Sequence, residues 1–397
     1  MHILMIAPEP FFEPRGTAFS EYHRIRALID LGHTVDLVTY PFGEDRPMSG
    51  LRVFRCVRPP FLHEIGIGPS FAKIPLDVSL AFTALARALR GRYDAVHSHE
   101  EGIAIGIVLA ALLRVPHLYD MHSSLPQQLT NFSFTRSRIV RWVFEGLERF
   151  VVRHSRVVIV ICPELKTTVQ AIDERVPCVL IENAPGSGEE EPTGTPERLR
   201  ASLGLAPSQP VVLYTGTFEP YQGLDLLLDA FADVLRERPD ARLVLAGGHP
   251  PQIEAMRADT VSRGIGEAVL FAGQRPSSEI PLYLRMADVL VSPRSTGTNT
   301  PLKIYQYLRS GTPIVATRLL THTQVLSDDT AILTPATAEG FAGGILSALR
   351  DPVRGSAVAA RARHLAETKY SYDAYLARTR EACAHLVMPQ VARQMPA

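Results

Sequence analysis

The chain has 397 residues, more than a single hydrophobic core usually holds, so two domains are expected. With 46% hydrophobic and 21% charged residues, its composition excludes a disordered or fibrous protein. Lys plus Arg and Asp plus Glu both total 41, so no net charge draws the chain to nucleic acid or to an anionic membrane. Any electrostatic partnership must therefore be local.

The cysteine pattern and the apolar runs favour a cytoplasmic setting. Cys56, Cys162, Cys178 and Cys383 form no C-x-x-C pair, which is evidence against a zinc framework or a disulfide scaffold. The N-terminus lacks a basic leader, and the longest apolar segment, 102–113, is shorter than the roughly 20 residues of a spanning helix. We expect no membrane-spanning helix.

The first half of the chain alternates strands with helices. An apolar run at 2–7 is followed by a Pro- and Gly-containing loop, a periodic helical segment at 19–31, and a second apolar run at 33–40 after Gly32. Such β-α-β units form parallel sheets with helices on both faces. Further strands are predicted at 51–57, 94–97, 117–119, 157–162 and 178–181, and helices at 76–89, 102–113 and 136–154.

The second half repeats the alternation after the Gly-, Pro- and Glu-rich stretch 186–197, which is typical of a linker. Strands are predicted at 211–214, 242–246, 269–271, 289–291 and 331–333, helices at 223–238, 251–263, 278–286 and 338–350, and a last helix at 361–385. The predicted fold is α/β, with two Rossmann-like doubly wound domains facing a central cleft. The predicted boundaries are 1–185, a linker at 186–208, 209–370, and a C-terminal helix within 371–397.

The stretch 292–317 reads as a strand, a polar loop, a short helix, a turn and a second strand. Its loop 294–301 would lie at the carboxyl end of a strand and at the amino end of a helix, where free N–H groups favour a phosphate. The loop from Gly216 to Gly223 has the same design, and Gly16 follows the first strand similarly. Tight turns required by chain geometry are the alternative for all three loops.

Polar residues at two strand ends in the first half are further candidates. His122 follows the strand 117–119, where an imidazole can bind a substrate hydroxyl or act as acid or base. His97, His99, Glu100 and Glu101 follow another strand, and alternation would point both histidines to the same side. Because no third metal ligand is evident, we favour a polar cleft wall on the acceptor side over a metal site.

An arginine-rich helical segment at 136–156 has two interpretations. It contains Trp142 and Phe150 among its apolar residues, so it could be a basic amphipathic helix resting peripherally on the inner face of a membrane. The alternative, which we favour, is a surface helix of the first domain with its apolar face in the core.

These features together resemble the family-4 retaining glycosyltransferases of the GT-B architecture. The resemblance covers almost the whole chain and is strongest over 211–333. It implies that a C-terminal domain binds a nucleotide-sugar donor, that an N-terminal domain binds a glycan, glycolipid or small-molecule acceptor, and that transfer proceeds with retention, without a metal or a cofactor. It also implies that the last helix returns to the first domain.

The family motifs can be placed residue by residue. The motif E-G-F-G-x-x-x-x-E-A-x-x-x-G-x-P aligns its closing residues with Gly311 and Pro313, which places Thr298 and Gln306 at its two glutamate positions. In the loop G-R-L-x-x-x-K-G, the arginine and lysine positions hold Thr217 and Gln222, so Lys303 is the expected replacement cation, with Arg294 and Arg15 behind it. The resemblance assigns His122 to the transferred sugar as the catalytic residue and the donor contacts to Gly16, Gly216, Gln222, Thr298, Asn299, Thr300, Lys303 and Gln306.

Two other functions fit the same residues. A non-catalytic binding or scaffolding protein of this fold would explain the replaced motif charges, and another GT-B enzyme, such as a nucleotide-sugar epimerase, would share the donor site. The base, the sugar and the acceptor are not specified by the sequence.

Overall fold

The computed structural model describes residues 1–12, 16–62, 73–126, 137–182 and 193–387. The chain divides into two compact units, one formed by Met1–Asn183 with Asp373–Ala397 and the other by Ala184–Tyr372. Each unit is built on a parallel sheet with alternating helices. The prediction of two Rossmann-like α/β domains is confirmed.

The described part of the first unit contains a seven-stranded sheet in the order β3-β2-β1-β4-β5-β6-β7. Its strands are β1 (His2–Ala7), β2 (Thr34–Thr39), β3 (Leu51–Arg55), β4 (Ala95–His99), β5 (His117–Met121), β6 (Val157–Val160) and β7 (Cys178–Leu180). Its helices are α1 (Gly16–Asp30), α2 (Ile74–Arg90), α3 (Ile103–Leu113), α4 (Arg138–His154), α5 (Pro163–Ile172) and, from the C-terminal segment, Tyr372–Val387.

The central strand β1 is buried on both faces, which explains its continuous apolar sequence. Leu4 and Ile6 pack on the face covered by α2 and α3, whereas Ile3 and Met5 pack with residues of α1. The helices α2, α3, α4 and α5 lie side by side. They share one face because the chain moves from β3 to β7 in one direction through right-handed crossovers. The crossover from β1 to β2 runs the other way, so α1 covers the opposite face.

The described part of the second unit contains a six-stranded sheet in the order β10-β9-β8-β11-β12-β13. Its strands are β8 (Val211–Thr215), β9 (Arg242–Ala246), β10 (Val269–Gly273), β11 (Val289–Ser292), β12 (Ile314–Thr317) and β13 (Ile332–Thr334). Its helices are α6 (Pro196–Ser202), α7 (Leu224–Glu237), α8 (Pro250–Ser262), α9 (Ile280–Met286), α10 (Lys303–Ser310), α11 (Leu320–Thr323), α12 (Ala338–Arg350) and α13 (Pro352–Thr368). Leu227, Phe231 and Phe341 lie in its core and join α7 and α12 to the sheet.

Several elements differ from the prediction. Residues 196–202, placed in the linker 186–208, form α6, whose Arg200 donates to the Met286 carbonyl oxygen at 2.8 Å; linker residues 186–192 lie outside the described part. The single helix predicted at 361–385 is two helices in the structure, because residues 369–371 are not helical. The first is α13, and the second, Tyr372–Val387, is named α14. Helix α5, which begins with Pro163 directly after β6, was not predicted.

No helix among the described residues is both long and apolar enough to cross a bilayer.

Candidate functional site

The strand order of the second unit reverses between β8 and β11. From β8 the chain winds outward to β9 and β10, whereas from β11 it winds the other way to β12 and β13. The loops that follow β8 and β11 therefore lie on either side of a switch point at the carboxyl edge of the sheet. Open α/β sheets bind their ligands at such switch points. We name these segments the β8 loop (216–223) and the β11 loop (293–302).

The β8 and β11 loops contact each other directly. Gly223 has a φ of +72°, and a Cβ atom at this position would lie 2.1 Å from the carbonyl oxygen of Pro293. The amide of Ser295 donates to the carbonyl oxygen of Tyr221 at 3.2 Å. A residue with a side chain cannot replace Gly223 without separating the loops. Gly223, the last residue of the loop predicted to bind a phosphate, is therefore the point where two loop backbones meet.

Lys303, the first residue of α10, extends its side chain to the β8 loop. Its Nζ atom lies 3.8 Å from the centroid of the Tyr214 ring and donates to Oε1 of Gln222 at 3.3 Å. The same Nζ atom would lie 3.5 Å from a Cβ atom built on Gly216. Three residues predicted to contact the donor, Gly216, Gln222 and Lys303, are thus brought together.

Arg294 organises the β11 loop from the other side. Its Nη1 atom donates to the carbonyl oxygen of Asn299 at 2.7 Å and to Oγ1 of Thr321 at 3.1 Å. Its guanidinium carbon lies 5.0 Å from the centroid of the Tyr221 ring in the β8 loop. The hydroxyl of Thr321 also donates to the Asn299 carbonyl oxygen at 2.6 Å. The guanidinium of Arg294 therefore links the β11 loop to Thr321 of α11.

The two cations at this switch point have no acidic partner in the part of the chain that the structure describes. Among the described residues, neither Lys303 nor Arg294 forms an ion pair with a carboxylate. Burial, followed by the nearby charge of Arg294, lowers the pKa of Lys303 well below its usual value, and burial lowers the pKa of Arg294. Buried cations without counter-ions are costly to maintain. The arrangement is suited to an anionic ligand that supplies the missing charge.

The other predicted donor residues lie nearby in the same unit. The Thr298 carbonyl oxygen accepts from Nε2 of Gln324 at 2.6 Å, so this part of the β11 loop is anchored to the chain after α11. Thr300 is buried, and its Oγ1 atom makes no hydrogen bond within the described residues. Gln306 is partly exposed three residues beyond Lys303, on the adjacent turn of α10.

A second polar cluster in the first unit is centred on Asp120, at the end of β5. Its Oδ2 atom accepts from Nε of Arg24 at 2.8 Å, and both side chains are buried. Arg24 also donates to Oγ1 of Thr379 at 3.3 Å, and its guanidinium carbon lies 4.9 Å from the Tyr375 ring centroid. The Arg24–Asp120 pair thus links α1, the sheet and α14.

Three histidines surround the Asp120 carboxylate. The Nε2 atom of His122 lies 3.2 Å from Oδ1, and the Nε2 atoms of His97 and His99 lie 3.4 Å and 4.0 Å from Oδ2. The rings of His97 and His99 stack with centroids 4.7 Å apart, which confirms that both side chains point to one side of β4. Burial alone would raise the pKa of Asp120, but Arg24 and then His122 outweigh it and hold that pKa well below normal.

This cluster has the ligand types of a metal site but not its charge balance. Ligand atoms of His97, His99 and Asp120 lie within 4.8 Å of one another. However, the N–H of Arg24 already donates to Oδ2 of Asp120, and a guanidinium at that position repels a cation. Asp120 is therefore neutralised by Arg24.

The acidic residues Glu100 and Glu101, which follow β4, are both partly exposed. Glu100 has a φ of +43°, and its two carboxylate oxygens share one hydrogen bond from the hydroxyl of Ser123, at 2.9 and 3.2 Å. Burial raises the pKa of Glu100, and Glu101 adds to the rise. His99 is fully buried, whereas Glu101 is partly exposed. Gly16 is the exposed first residue of α1, and Arg15 lies outside the described residues.

Some residues that shape these sites were missed by the sequence analysis. Arg24, Asp120, Tyr214 and Thr321 were not singled out. Asp120 could have been found from its position two residues before His122, at the same strand end. Arg24 gave no signal because it lies within an otherwise ordinary helix.

Two family models match the chain and together cover most of it. The model described as "Glycosyl transferase 4-like domain" matches residues 18–184, and the model described as "Glycosyl transferases group 1" matches residues 209–351. The first match contains Asp120 and His122, and the second contains both loops of the switch point. The chain belongs to the family-4 glycosyltransferases of GT-B architecture.

This family-4 glycosyltransferase is similar to one curated relative and two solved structures described below. It is 27% identical over 245 residues to an alpha-monoglucosyldiacylglycerol synthase of Streptococcus pneumoniae, covering 59% of the chain and 54% of that relative. The match thus spans about half the length of that relative. A sucrose-phosphate synthase from Thermosynechococcus elongatus has the same fold, with a TM-score of 0.79, 21% identity and coverage of 97% of the chain and 98% of the other.

A second solved structure is an Anabaena protein in complex with UDP-glucose. It matches this glycosyltransferase with a TM-score of 0.73 and 17% identity, covering 97% of the chain and 99% of the other. At this identity the likeness establishes the fold alone.

Proposed function

We propose that this chain is a retaining glycosyltransferase that moves a sugar from a nucleotide-sugar donor to a hydroxyl acceptor. The observation that carries the proposal is the pair of cations, Lys303 and Arg294, which lack a carboxylate partner among the described residues at the switch point of the second unit. A nucleoside diphosphate carries the negative charge that this pair lacks, and switch points of open sheets are where such ligands bind.

Lys303 would stabilise the departing diphosphate. When the bond between the anomeric carbon and the diphosphate oxygen breaks, the bonding electrons remain on that oxygen, and positive charge already in place lowers the barrier. Thr217 and Gln222 occupy the positions at which the family motif has cations. Because Gln222 accepts a hydrogen bond from Lys303, the ammonium is positioned beside the loop that lost those charges. We infer that Lys303 replaces them, with Arg294 as the second cation.

The remaining donor contacts follow from the loops. Gln306 would bind the ribose hydroxyls, since its amide can both donate and accept hydrogen bonds. The backbone amides of Asn299 and Thr300 and the close approach allowed at Gly216 would hold the phosphates. Thr298 would face the sugar without supplying a carboxylate. Gly16, in the first unit, remains a proposed donor contact.

His122 is the residue we propose to orient the transferred sugar. The Asp120 carboxylate lies 3.2 Å from its Nε2 atom and places a negative charge beside the imidazole. The polar edge that includes His99, Glu100 and Glu101 would serve the acceptor, which is a glycan, a glycolipid or a small molecule. We propose that no metal and no cofactor take part; the neutralisation of Asp120 by Arg24 supports this. The four free thiols support a cytoplasmic setting.

A non-catalytic binding protein is the second candidate, favoured by the uncharged residues Thr217, Gln222 and Thr298 at motif positions that normally carry charge. An epimerase of the same architecture would share the donor site.

A turnover assay separates these functions. The purified chain is incubated with UDP-, GDP- and ADP-glucose, with and without EDTA, and free nucleoside diphosphate and sugar are quantified. Release of nucleoside diphosphate that is unchanged by EDTA is the expected result. Calorimetric binding without release would support the scaffold, and an altered sugar would support the epimerase.

A further inference from the structure

One surface of the first unit is apolar where an ordinary surface would be charged. Helix α2 exposes Ile74, Val78, Phe82, Leu85 and Leu89, which recur every three or four residues and therefore form one stripe. Phe82 is 70% exposed and Leu89 69%. The opposite side of α2 packs into the core through other residues, so this stripe is not the core-facing side of the helix.

The apolar surface continues across the two neighbouring helices. Helix α3, which packs between α2 and α4, exposes Val108 and Leu112. Helix α4 exposes Ile139, Trp142 and Phe150, with Ile139 75% and Trp142 68% exposed. Because these helices lie side by side on one face of the sheet, we treat their exposed residues as one patch on that face. Clustered exposed apolar residues are typical of interaction sites.

The charges within the patch are all of one sign. Six arginines occupy exposed positions on α2, α3, α4 or the residue after α3: Arg90, Arg114, Arg138, Arg141, Arg149 and Arg153. At the exposed positions of these three fully described helices there is no Asp or Glu; Asp77 and Glu145 are partly buried, and Glu148 is buried. Asp77 is in addition bound to the hydroxyl of Tyr40 at 2.5 Å.

A surface helix of the second unit provides the comparison. Helix α7 also packs on its sheet, but its exposed positions carry Asp225, Asp229, Arg236 and Glu237 and no large apolar residue. The pattern on α2, α3 and α4 is therefore specific to one face of the first unit and is not a general property of this chain.

We propose that the outer face of α2, α3 and α4 docks on a membrane surface that contains anionic phospholipids. Exposed aromatic and aliphatic side chains can enter the boundary between headgroups and acyl chains, where tryptophan is favoured. Exposed arginines gain attraction from anionic headgroups, and their long side chains let the charge remain at headgroup level. A purely apolar partner would offer no negative charge to the exposed arginines of this face. The proposal rests on this surface and not on the proposed sugar transfer.

Trp142 provides a direct probe, because the sequence contains one tryptophan and it lies in the patch. The full chain is titrated with vesicles of phosphatidylcholine alone or of phosphatidylcholine with phosphatidylglycerol, and binding is also measured by co-flotation. We expect the Trp142 emission to move to shorter wavelength and the protein to float only with the anionic vesicles. High salt should weaken the binding.

Two double variants, each with a matched control, test the surface itself. Phe82→Ser with Leu89→Ser keeps the Trp142 probe and should reduce binding to anionic vesicles at least tenfold, whereas Val353→Ser, at an 82% exposed valine on α13, should not. Arg138→Glu with Arg149→Glu should also reduce binding to anionic vesicles at least tenfold, whereas Arg236→Glu on α7 should leave the binding unchanged. Circular dichroism verifies that each variant is folded.

Three results would overturn the proposal: equal binding to both kinds of vesicle, wild-type binding by both double variants, or absence of binding to vesicles. If sedimentation equilibrium instead finds a dimer that Phe82→Ser with Leu89→Ser dissociates, the patch is a contact between two copies of the chain and the membrane proposal is wrong. None of these outcomes depends on turnover.

Discussion

The ammonium of Lys303 lies over the ring of Tyr214, 3.8 Å from its centroid, at the switch point of the second sheet. Within the described residues, the ammonium of Lys303 interacts with the Tyr214 ring and donates a hydrogen bond to Gln222. Neither partner carries a full negative charge. Burial and the neighbouring Arg294 keep the pKa of Lys303 well below its usual value. We therefore expect an anionic ligand to raise the pKa of Lys303.

Nucleoside diphosphate binding should be accompanied by proton uptake. A bound diphosphate stabilises the charged amine and raises the pKa of Lys303, so affinity is greatest below the pKa of the free protein and falls as pH rises through the pKa of the complex. Calorimetry in buffers of different ionisation enthalpy measures this uptake. Lys303→Met should abolish the buffer dependence, and Lys369→Met, at an exposed lysine, should preserve it. Buffer-independent enthalpies in the wild type throughout the alkaline range would contradict the assignment.

Gly223→Ala should disrupt the contact between the β8 and β11 loops. The added methyl group would lie 2.1 Å from the Pro293 carbonyl oxygen, so the backbone must move, and we expect nucleoside diphosphate affinity to fall by more than tenfold. Gly264→Ala is the matched control, because Gly264 has a φ of +71° but no atom within 4 Å of the added group. The control should lose only about 1–2 kcal/mol of stability from backbone strain. Equal effects of the two variants on binding would show that strain alone is responsible.

Asp120→Asn should strongly destabilise the first unit. The change leaves the buried Arg24 without a counter-ion, and breaking a buried ion pair typically costs about 3–5 kcal/mol. Asp240→Asn, in the surface pair with Arg238, should cost about 0–1 kcal/mol. Hydrogen exchange of the β5 amides, read by mass spectrometry, reports the opening free energy of this strand. A loss below about 1 kcal/mol for Asp120→Asn would mean that Arg24 finds another partner.

The buried His117 should make the first unit sensitive to acid. Its two ring nitrogens contact the hydroxyls of Ser98 at 2.7 Å and Ser155 at 3.0 Å, and burial lowers the pKa of His117 from 6.5 to about 3. Because the unfolded chain binds a proton below pH 6.5 and the folded chain does not, this residue's contribution to stability decreases as pH falls from 6.5 toward 3. Between pH 7.5 and 5 the decrease is about 2 kcal/mol.

His117→Asn removes that dependence. The variant should be less stable than wild type at pH 7.5, and the difference between the two should shrink by about 2 kcal/mol at pH 5. Comparing the two proteins cancels the opposite contribution of buried carboxyls such as Glu21, whose pKa is raised by burial. His364→Asn, at an exposed histidine, is the control. A difference that stays constant with pH would contradict the neutral state of His117.

The alternation of apolar runs predicted most of the fold because strands buried on both faces are continuously apolar. The strands at 2–7 and 242–246 were predicted with the bounds the structure has. Two short helices, α5 and α6, were not predicted. Helices α5 and α6 both begin with proline, and α5 has a mixed polar sequence that resembles a loop. The break between α13 and α14 was missed because the helical pattern continues across it.

The sequence predicted those residues of the candidate site that lie at strand ends or helix starts. It did not predict pairs of residues that are distant in the chain. Gly216, Gly223 and Lys303 lie at strand ends or helix starts, so their convergence could be inferred from sequence. Arg24 and Asp120 are 96 residues apart in the chain, and their pairing depends on the tertiary fold alone. The roles of Thr298, Gln306 and His122 stay predictions until a ligand is bound.

The most direct test of the account is equilibrium binding of UDP, GDP and ADP to the wild-type chain and to Lys303→Met, with Lys369→Met as control. We predict that at least one of the three binds the wild type and that Lys303→Met loses about 10- to 150-fold in affinity, which corresponds to the roughly 1.5–3 kcal/mol of a charged hydrogen bond. Failure of all three to bind, or wild-type affinity in Lys303→Met, would contradict the donor site described here.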